Sequence, residues 1–425
     1  MNKKLFIAFC FIGAGSAMHA QEVVSDTLFT SVIITDESRH SDNETIKAIY
    51  EANGLHFQDP RAPRFLFLDR KGRVALGIGG YMKGTLSVDM GGIADNPDFV
   101  TADIPTPNRP DMRSQFQMDA STSRIFLKLV GKRTPVGDFT VYLESDFRGG
   151  DAGSYAMRLR QAYISMGGLR IGKAWSTFCD PASAPPTVDF EGPSGAVFAR
   201  NMQIQYSLRL DKHWSFAAAI EAPSASYTTR AGESEAIRQR IPDIPAYVQY
   251  EWGGGESHIR LSGLLRALSY RNLVSAENKY AIGWASQLSG MVEIIPQLTF
   301  YYQAAYGCGY ADYMNDLGGF GYDLVAKPEG GEMSAPYALG FVGGLQYNIS
   351  NKLFLSTSAS QCRLYNEGAY RPDGYKYAQY MVVNAFYTPF SNCQLGVEYL
   401  YGSRHNYDRT EGKAHRINAM IQYNF

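Results

Sequence analysis

The sequence predicts an all-β protein: a transmembrane antiparallel β-barrel of about 16 strands, with a constriction loop inserted into it and a short N-terminal periplasmic segment before it. Three observations lead there. From Arg73 to the C-terminus, strand-like segments of about ten residues recur, joined alternately by short and long connections, as in outer-membrane barrels. Within the segments, apolar and polar residues alternate with period two, which suits lipid outside and water inside. The chain ends on an aromatic, Phe425, at the tip of such a segment.

The first element is a leader. Lys3 and Lys4 form a charged start, Leu5 to Ile12 an apolar core, and Ala17-Met-His-Ala20 a cleavage region. Residues 1–20 therefore read as a secretory signal peptide. Cys10 lies inside the apolar run after bulky Phe9, which argues against a lipidated cysteine. Residues 21–72 read as a periplasmic segment. Ser41-x-x-Glu44 is a capping box before Ile46, Ile49 and Tyr50, Gly54 can end that helix, and Phe65-Leu-Phe-Leu68 is a short strand. No heptad pattern long enough for a coiled coil appears. Residues 73–425 read as the barrel.

Beyond the signal, no stretch approaches the ~18 apolar residues of a spanning helix. Forty Lys and Arg stand against 41 Asp and Glu, and Lys3 and Lys4 leave with the signal. There is no global basic field, so nucleic acid is not an expected partner. The 29 Tyr, 23 Phe and 42 Gly suit wide, half-wet sheets. Cys179, Cys308, Cys362 and Cys393 stand far apart, so neither a metal site nor a disulfide framework is expected, and no cofactor is implied.

The segments are 73–90, 121–130, 138–147, 155–166, 169–176, 196–210, 212–221, 245–252, 257–270, 278–293, 297–307, 335–349, 352–364, 376–388, 393–403 and 412–425. Gly167-Gly168 and Ser350-Asn351 are among the short turns; 91–120, 177–195, 222–244, 308–334 and 365–375 are the long connections. An even count returns both ends to the periplasm. The last segment is the clearest: Ile417, Ala419, Ile421, Tyr423 and Phe425 share one face, and Arg416, Asn418, Met420, Gln422 and Asn424 the other. Closure is required because lipid cannot satisfy a free sheet edge. The alternative, a soluble sheet with one wet face, leaves the sorted connections unexplained. The expected location is the outer membrane of a Gram-negative bacterium, in contact with its lipid. The strand ending in Phe425 is expected to meet the barrel-assembly machinery.

The connection 177–195 holds Pro181, Pro185, Pro186 and Pro193, which stiffen it, with Asp180, Asp189 and Glu191. Trp175 and Phe178 can dock it inward, which makes it the candidate constriction. A pore filters by width and rim charge. Arg158 and Arg160 share one face between apolar Met157 and Leu159, so both are expected in the lumen, as are Arg124 and Lys128. Lys173 and Arg200 flank the loop, although strand parity places each with the apolar set unless a bulge intervenes. The expected site is a basic ladder of Arg124, Lys128, Arg158, Arg160, Lys173 and Arg200 facing Asp180, Asp189 and Glu191. Its field would orient an anionic or dipolar solute. The bland reading is that these charges only pair and anchor the loop. Tyr301, Tyr302, Tyr306, Tyr310 and Tyr313 suit either a sugar-stacking track or, more commonly, an interfacial girdle.

Arg158-Leu-Arg160, Ala162-Tyr163, Gly172-Lys-Ala-Trp-Ser-Thr-Phe178, Asp180-Pro181, Thr187-Val-Asp-Phe190, Gly192-Pro-Ser-Gly195, Val197-Phe-Ala-Arg200 and Gln205-Tyr206 occur in order at close spacing. Over residues 155–206 this resembles the DcaP-like outer-membrane porins. The resemblance implies a trimeric sixteen-stranded diffusion porin with a positive constriction for small anions such as dicarboxylates. Two departures stand out. Many members carry a longer N-terminal coiled coil, and Lys173 stands where Gln is expected.

Other functions fit less well. An outer-membrane lipase or protease would need a nucleophile, a His and an acid; His213, His258, His405 and His415 are scattered and no G-x-S-x-G appears. A hatch-gated channel for hydrophobic substrates would want an apolar N-terminal plug, and 21–72 is rather polar. A plugged active receptor needs a longer chain. Adhesion through the long loops stays open.

Overall fold

The computed structural model describes residues 29–33, 43–50, 56–60, 63–93, 98–112, 114–151, 153–365 and 374–425. Each of the sixteen expected segments is a strand: β1 (Val74–Met90), β2 (Arg124–Thr134), β3 (Gly137–Gly149), β4 (Ala156–Met166), β5 (Leu169–Trp175), β6 (Arg200–Arg209), β7 (Trp214–Glu221), β8 (Ile244–Trp252), β9 (Ser257–Asn272), β10 (Glu277–Ile295), β11 (Leu298–Cys308), β12 (Tyr337–Ser350), β13 (Leu353–Tyr365), β14 (Tyr375–Phe390), β15 (Cys393–Asn406) and β16 (Glu411–Asn424). Neighbours pair antiparallel all round, and β16 pairs back onto β1 from Asn424–Tyr81 to His415–Met90. Phe425 finishes the seam: its N–H donates to the Gly80 carbonyl at 3.0 Å, and its carbonyl accepts from the Gly80 N–H at 2.9 Å. No sheet edge is left along this ring, which is what lipid demands.

The alternation sorts side chains as expected. On β16, Ile417, Ile421 and Tyr423 are exposed on the outer face, while Arg416, Asn418 and Met420 are buried inside. On β6, Met202, Ile204, Tyr206 and Leu208 face out, and Gln203 and Gln205 face in. Among the described residues no helix is long and apolar enough to cross a membrane; the strands make the crossing.

Some elements differ from the sequence reading. Gln115–Asp119, expected as loop, is a strand that continues the β2 side of the wall by pairing with Thr85–Asp89 of β1. Five residues of weak alternation behind a Pro-containing stretch gave little signal. Residues 196–199 belong to the preceding loop, so β6 starts at Arg200. Phe65–Asp69 forms the expected short strand, pairing with Leu76 and its neighbours below the end of β16 and also with Phe29–Ile33. The expected helix is α1 (Glu44–Tyr50), and its first N–H groups at Thr45 and Ile46 donate to Asn43 Oδ1 at 2.8 and 3.3 Å. Ser41 and Gly54 lie outside the described residues. The four cysteines of the barrel are buried free thiols.

The tyrosine cluster divides. Tyr306 is exposed on the outer wall beside Tyr337 and Trp284, as a girdle would be. Tyr310 and Tyr313 are buried inside, packed edge-on against Phe178.

Candidate channel constriction

The connection L3 (residues 176–199) does fold into the barrel. Pro181 opens a single 3-10 turn (Pro181–Ser183) and the four prolines carry no N–H of their own, so the loop's remaining polar groups must find partners on the wall. At its start, Glu221 of β7 accepts from Ser176 Oγ at 2.9 and 3.0 Å and from Thr177 N–H at 2.8 Å. Further on, Pro186 O accepts from Ser356 Oγ at 3.1 Å and Asn384 Nδ2 at 3.0 Å. At the tip, Glu398 of β15 accepts from Val188 N–H at 2.6 Å and Asp189 N–H at 2.9 Å. The loop thus crosses from β5 and β7 to β13–β15. Replacing Glu398 by Ala strands two buried N–H donors, at a cost of about 1–3 kcal/mol for each. The expected result is a lower urea midpoint and noisier single-channel current.

The structure gathers the expected cations unevenly. Arg124, Arg148 and Arg160 place their guanidinium groups 5.5, 5.0 and 5.1 Å from the ring centre of Phe190, in L3. Arg160 Nε lies 2.8 Å from Glu144 Oε1 and Nη1 lies 2.8 Å from Asp146 Oδ2. Arg158 grips Asp146 with two bonds of 3.0 and 2.7 Å and keeps 41% of its side chain exposed. Arg124 lies 3.4 Å from both Glu144 and Asp59. Arg200 stacks over Trp175 at 3.7 Å beside Phe198, and its buried Nε and Nη2 have no hydrogen-bond partner. Arg124 Nε and Arg160 Nη2 are also buried donors without partners.

Two expected ladder members stand elsewhere. Lys128 is inside, but its Nζ donates to Ala48 O and Ile49 O at the end of α1. Lys173 pairs in register with Ala162 and Met202, so the pleat puts it on the outer face. No bulge rescues its parity. The bulge falls instead on β4, where Arg160 is skipped in the pairing with β3, so Arg160 and Gln161 are both buried.

The loop acids do not face this ladder directly. Asp180 is fully buried, with Oδ2 2.8 Å from His258 Nε2 and accepting from Ser289 Oγ at 2.7 Å; Arg260 lies 3.7 Å from Oδ1. Burial alone would raise its pKa, but Arg260 and these hydrogen bonds outweigh it and hold the carboxyl well below its usual range. Asp189 accepts from Phe99 N–H, Gly192 N–H and Tyr380 OH at 3.1, 3.0 and 3.2 Å. Burial, and then nearby Asp98, raise the Asp189 pKa; burial, Asp98 and Asp189 push Glu191 well above its usual range. Lys83 Nζ also reaches the loop tip, donating to Val188 O at 3.0 Å.

Sequence reasoning missed Glu144, Asp146, Arg148, Glu221, Arg260 and Glu398. Glu144-Ser-Asp146 did carry a signal: two acids on one strand face. Register was needed to pair that face with Arg158 and Arg160.

The inside of the barrel is closely filled. Ser356, Asn384, Glu398, Gln287, Ser289 and Gln303 face inward and are each at most 3% exposed. Phe178, Tyr310, Tyr313, Met314 and Leu317 form an apolar cluster with the wall residues Leu264 and Leu364. Among the described residues, these inward-facing groups are covered by one another and by L3.

A closed sixteen-stranded ring, greasy outside, charged within and narrowed by an inserted loop, defines an outer-membrane channel of the porin class. The chain belongs to the DcaP outer membrane protein family, whose profile matches residues 78–425. Its place is the outer membrane of a Gram-negative bacterium. It is similar in structure to the outer membrane channel DcaP of Acinetobacter baumannii, at 21% identity over 84% of this chain and 98% of that one, with a TM-score of 0.72. It also resembles an anion-selective porin from Comamonas acidovorans at 9% identity, covering 83% of this chain and all of that one, with a TM-score of 0.54. OmpT of Vibrio cholerae in its outer-membrane expressed form follows at 12% identity, covering 83% and 98%, with a TM-score of 0.51. No curated protein matches the chain.

Proposed function

We propose that this channel passes small hydrophilic anions, dicarboxylate-like in charge, by passive diffusion, and that it works as a homotrimer. The observation that carries the reading is the convergence of Arg124, Arg148 and Arg160 on Phe190, with partnerless buried N–H groups on Arg124, Arg160 and neighbouring Arg200. An unsatisfied buried donor costs about 1–3 kcal/mol, which a passing carboxylate would relieve. Clustered cations in a low-dielectric wall also concentrate anions.

Strand length supports assembly. A spanning strand needs about 9–11 residues, while β5 has seven and β7 eight. That low wall is better buried against another copy than against lipid. The strand ending in Phe425 is the expected recognition element for barrel assembly.

The enzyme reading meets a specific objection. Ser289, His258 and Asp180 do lie together, but serine and histidine both point at the carboxylate, 2.7 and 2.8 Å from the same Asp180 Oδ2. A nucleophilic serine must instead give its proton to the histidine. The trio suits loop anchoring.

The test is planar-bilayer conductance in a KCl gradient. The expected result is a channel whose reversal potential indicates chloride preference and whose current is reduced by added succinate. Cation preference, or a membrane that stays silent with correctly folded protein, overturns the reading.

A further inference from the structure

We infer that residues 43–50 and 56–60 form an internal gate, with Asp59 standing at Arg124 where a permeating carboxylate would bind. This rests on the anion-channel reading for the meaning of Asp59, though not for the gating.

The segment that precedes β1 in sequence lies against inward-facing groups of the wall. Ile49 of α1 is fully buried with Ala75 and Val130, and Lys128 holds the helix C-terminus through Ala48 O and Ile49 O at 2.8 and 3.2 Å. Pro63 passes over the inner face of β1. Only glycine fits beneath it: a Cβ on Gly77 would sit 2.5 Å from Pro63 Cγ, and one on Gly79 would sit 2.7 Å from Pro63 Cα.

His56 and Phe57 lie across the bore. The His56 ring meets Trp175, at the end of β5, and Phe198 of L3, at 5.8 and 5.5 Å. The next residue, Phe57, meets Phe354 of β13 and Phe386 of β14 at 5.9 and 5.0 Å. In a ring of sixteen strands β5 and β13 stand opposite one another. Adjacent side chains that touch both walls place their backbone across the middle.

Gln58 ties the crossing to the constriction. Its carbonyl accepts from Arg124 Nη1 at 3.0 Å and Tyr81 OH at 3.3 Å, and its Nε2 donates to Asp189 O of L3 at 2.8 Å. The Asp59 carboxylate, nearly buried, lies 3.4 Å from Arg124 Nη1. It stands to the arginine as a solute would. An anion arriving at Arg124 competes with Asp59, so solute and segment exclude each other, and release of the segment widens the passage.

Two full-length variants test this. Phe57→Ala removes the far-wall contact, and Asp59→Asn keeps the shape but removes the charge. Each is expected to shift the docked-to-released ratio by about tenfold, the size of one lost contact of this kind. The readout is longer open times and larger mean conductance than the parent protein, with unchanged heat-modifiable mobility reporting an intact barrel. Asp59→Asn remains the test should Phe57→Ala assemble poorly. Parent-like open times and conductance in the folded variants overturn the gate. Loss of the anion reading is separate: it appears as absent chloride preference in the parent, whatever the variants do.

Discussion

Asp180→Ala is expected to release the root of L3 and to destabilise the barrel by about 3–5 kcal/mol, the range for removing one partner of a buried charge pair. The carboxylate has no exposed surface and faces three groups: Arg260 at 3.7 Å, His258 at 2.8 Å and Ser289 at 2.7 Å. Its loss leaves the Arg260 guanidinium in the wall with Gln249 Oε1 and Cys179 O as remaining acceptors. Asp180→Asn keeps the shape and some hydrogen bonding, so it should fall between parent and alanine. The urea midpoint of the folded band on cold electrophoresis measures the order. The same residue sets a pH dependence. Its native pKa is depressed, so its anchoring is fully present above the ordinary carboxyl value of about 3.9 and is lost as pH falls through the depressed native one. The Asp180 anchor at the root of L3 is therefore expected to hold from neutral pH down to about 4, and Asp180→Ala to remove its share of the loosening below that.

The second large effect is expected at Arg160. It bridges Glu144 and Asp146 while lying over Phe190, and it is only 3% exposed. Arg160→Ala leaves Glu144 to Arg124 and Asp146 to Arg158, and the loss is again about 3–5 kcal/mol. It also removes one of the three guanidinium groups around Phe190, so chloride preference should fall. Arg158→Ala should act mainly on selectivity, because that side chain is partly exposed and its partner stays bridged to Arg160. Urea midpoint and reversal potential together separate the two. Unchanged reversal potentials in both variants would remove these arginines from the filter.

The wall was legible because a two-residue period needs no three-dimensional information. Ile417, Ile421 and Tyr423 announce an outer face by themselves, and sixteen segments followed. The inserted loop was legible from its prolines and from Trp175 and Phe178. What stayed hidden depends on register and on tertiary contact. Arg158 and Arg160 read as free rim charges, yet the offset of β3 against β4 brings Glu144 and Asp146 onto them. Lys128 has the right parity for the lumen, but nothing in its strand says that a helix end waits there. Lys173 shows the reverse: parity alone placed it outside, and the wish for a basic ladder was the weaker guide. His258 and Arg260 alternate with Ile259 and Leu261, so their inward aim was visible; that they meet Asp180 was not.

The seam at Gly80 and Phe425 has a consequence for biogenesis. Phe425 supplies both backbone bonds at the foot of the β16–β1 joint, so the cylinder is locked only once the far end of β16 reaches β1. Residues 56–60 precede β1 in the chain, yet they finish inside the ring. Assembly must therefore either wrap the cylinder around them or let them thread upward after locking, and the order in which Phe57 and Phe425 become protected from solvent exchange distinguishes the two routes.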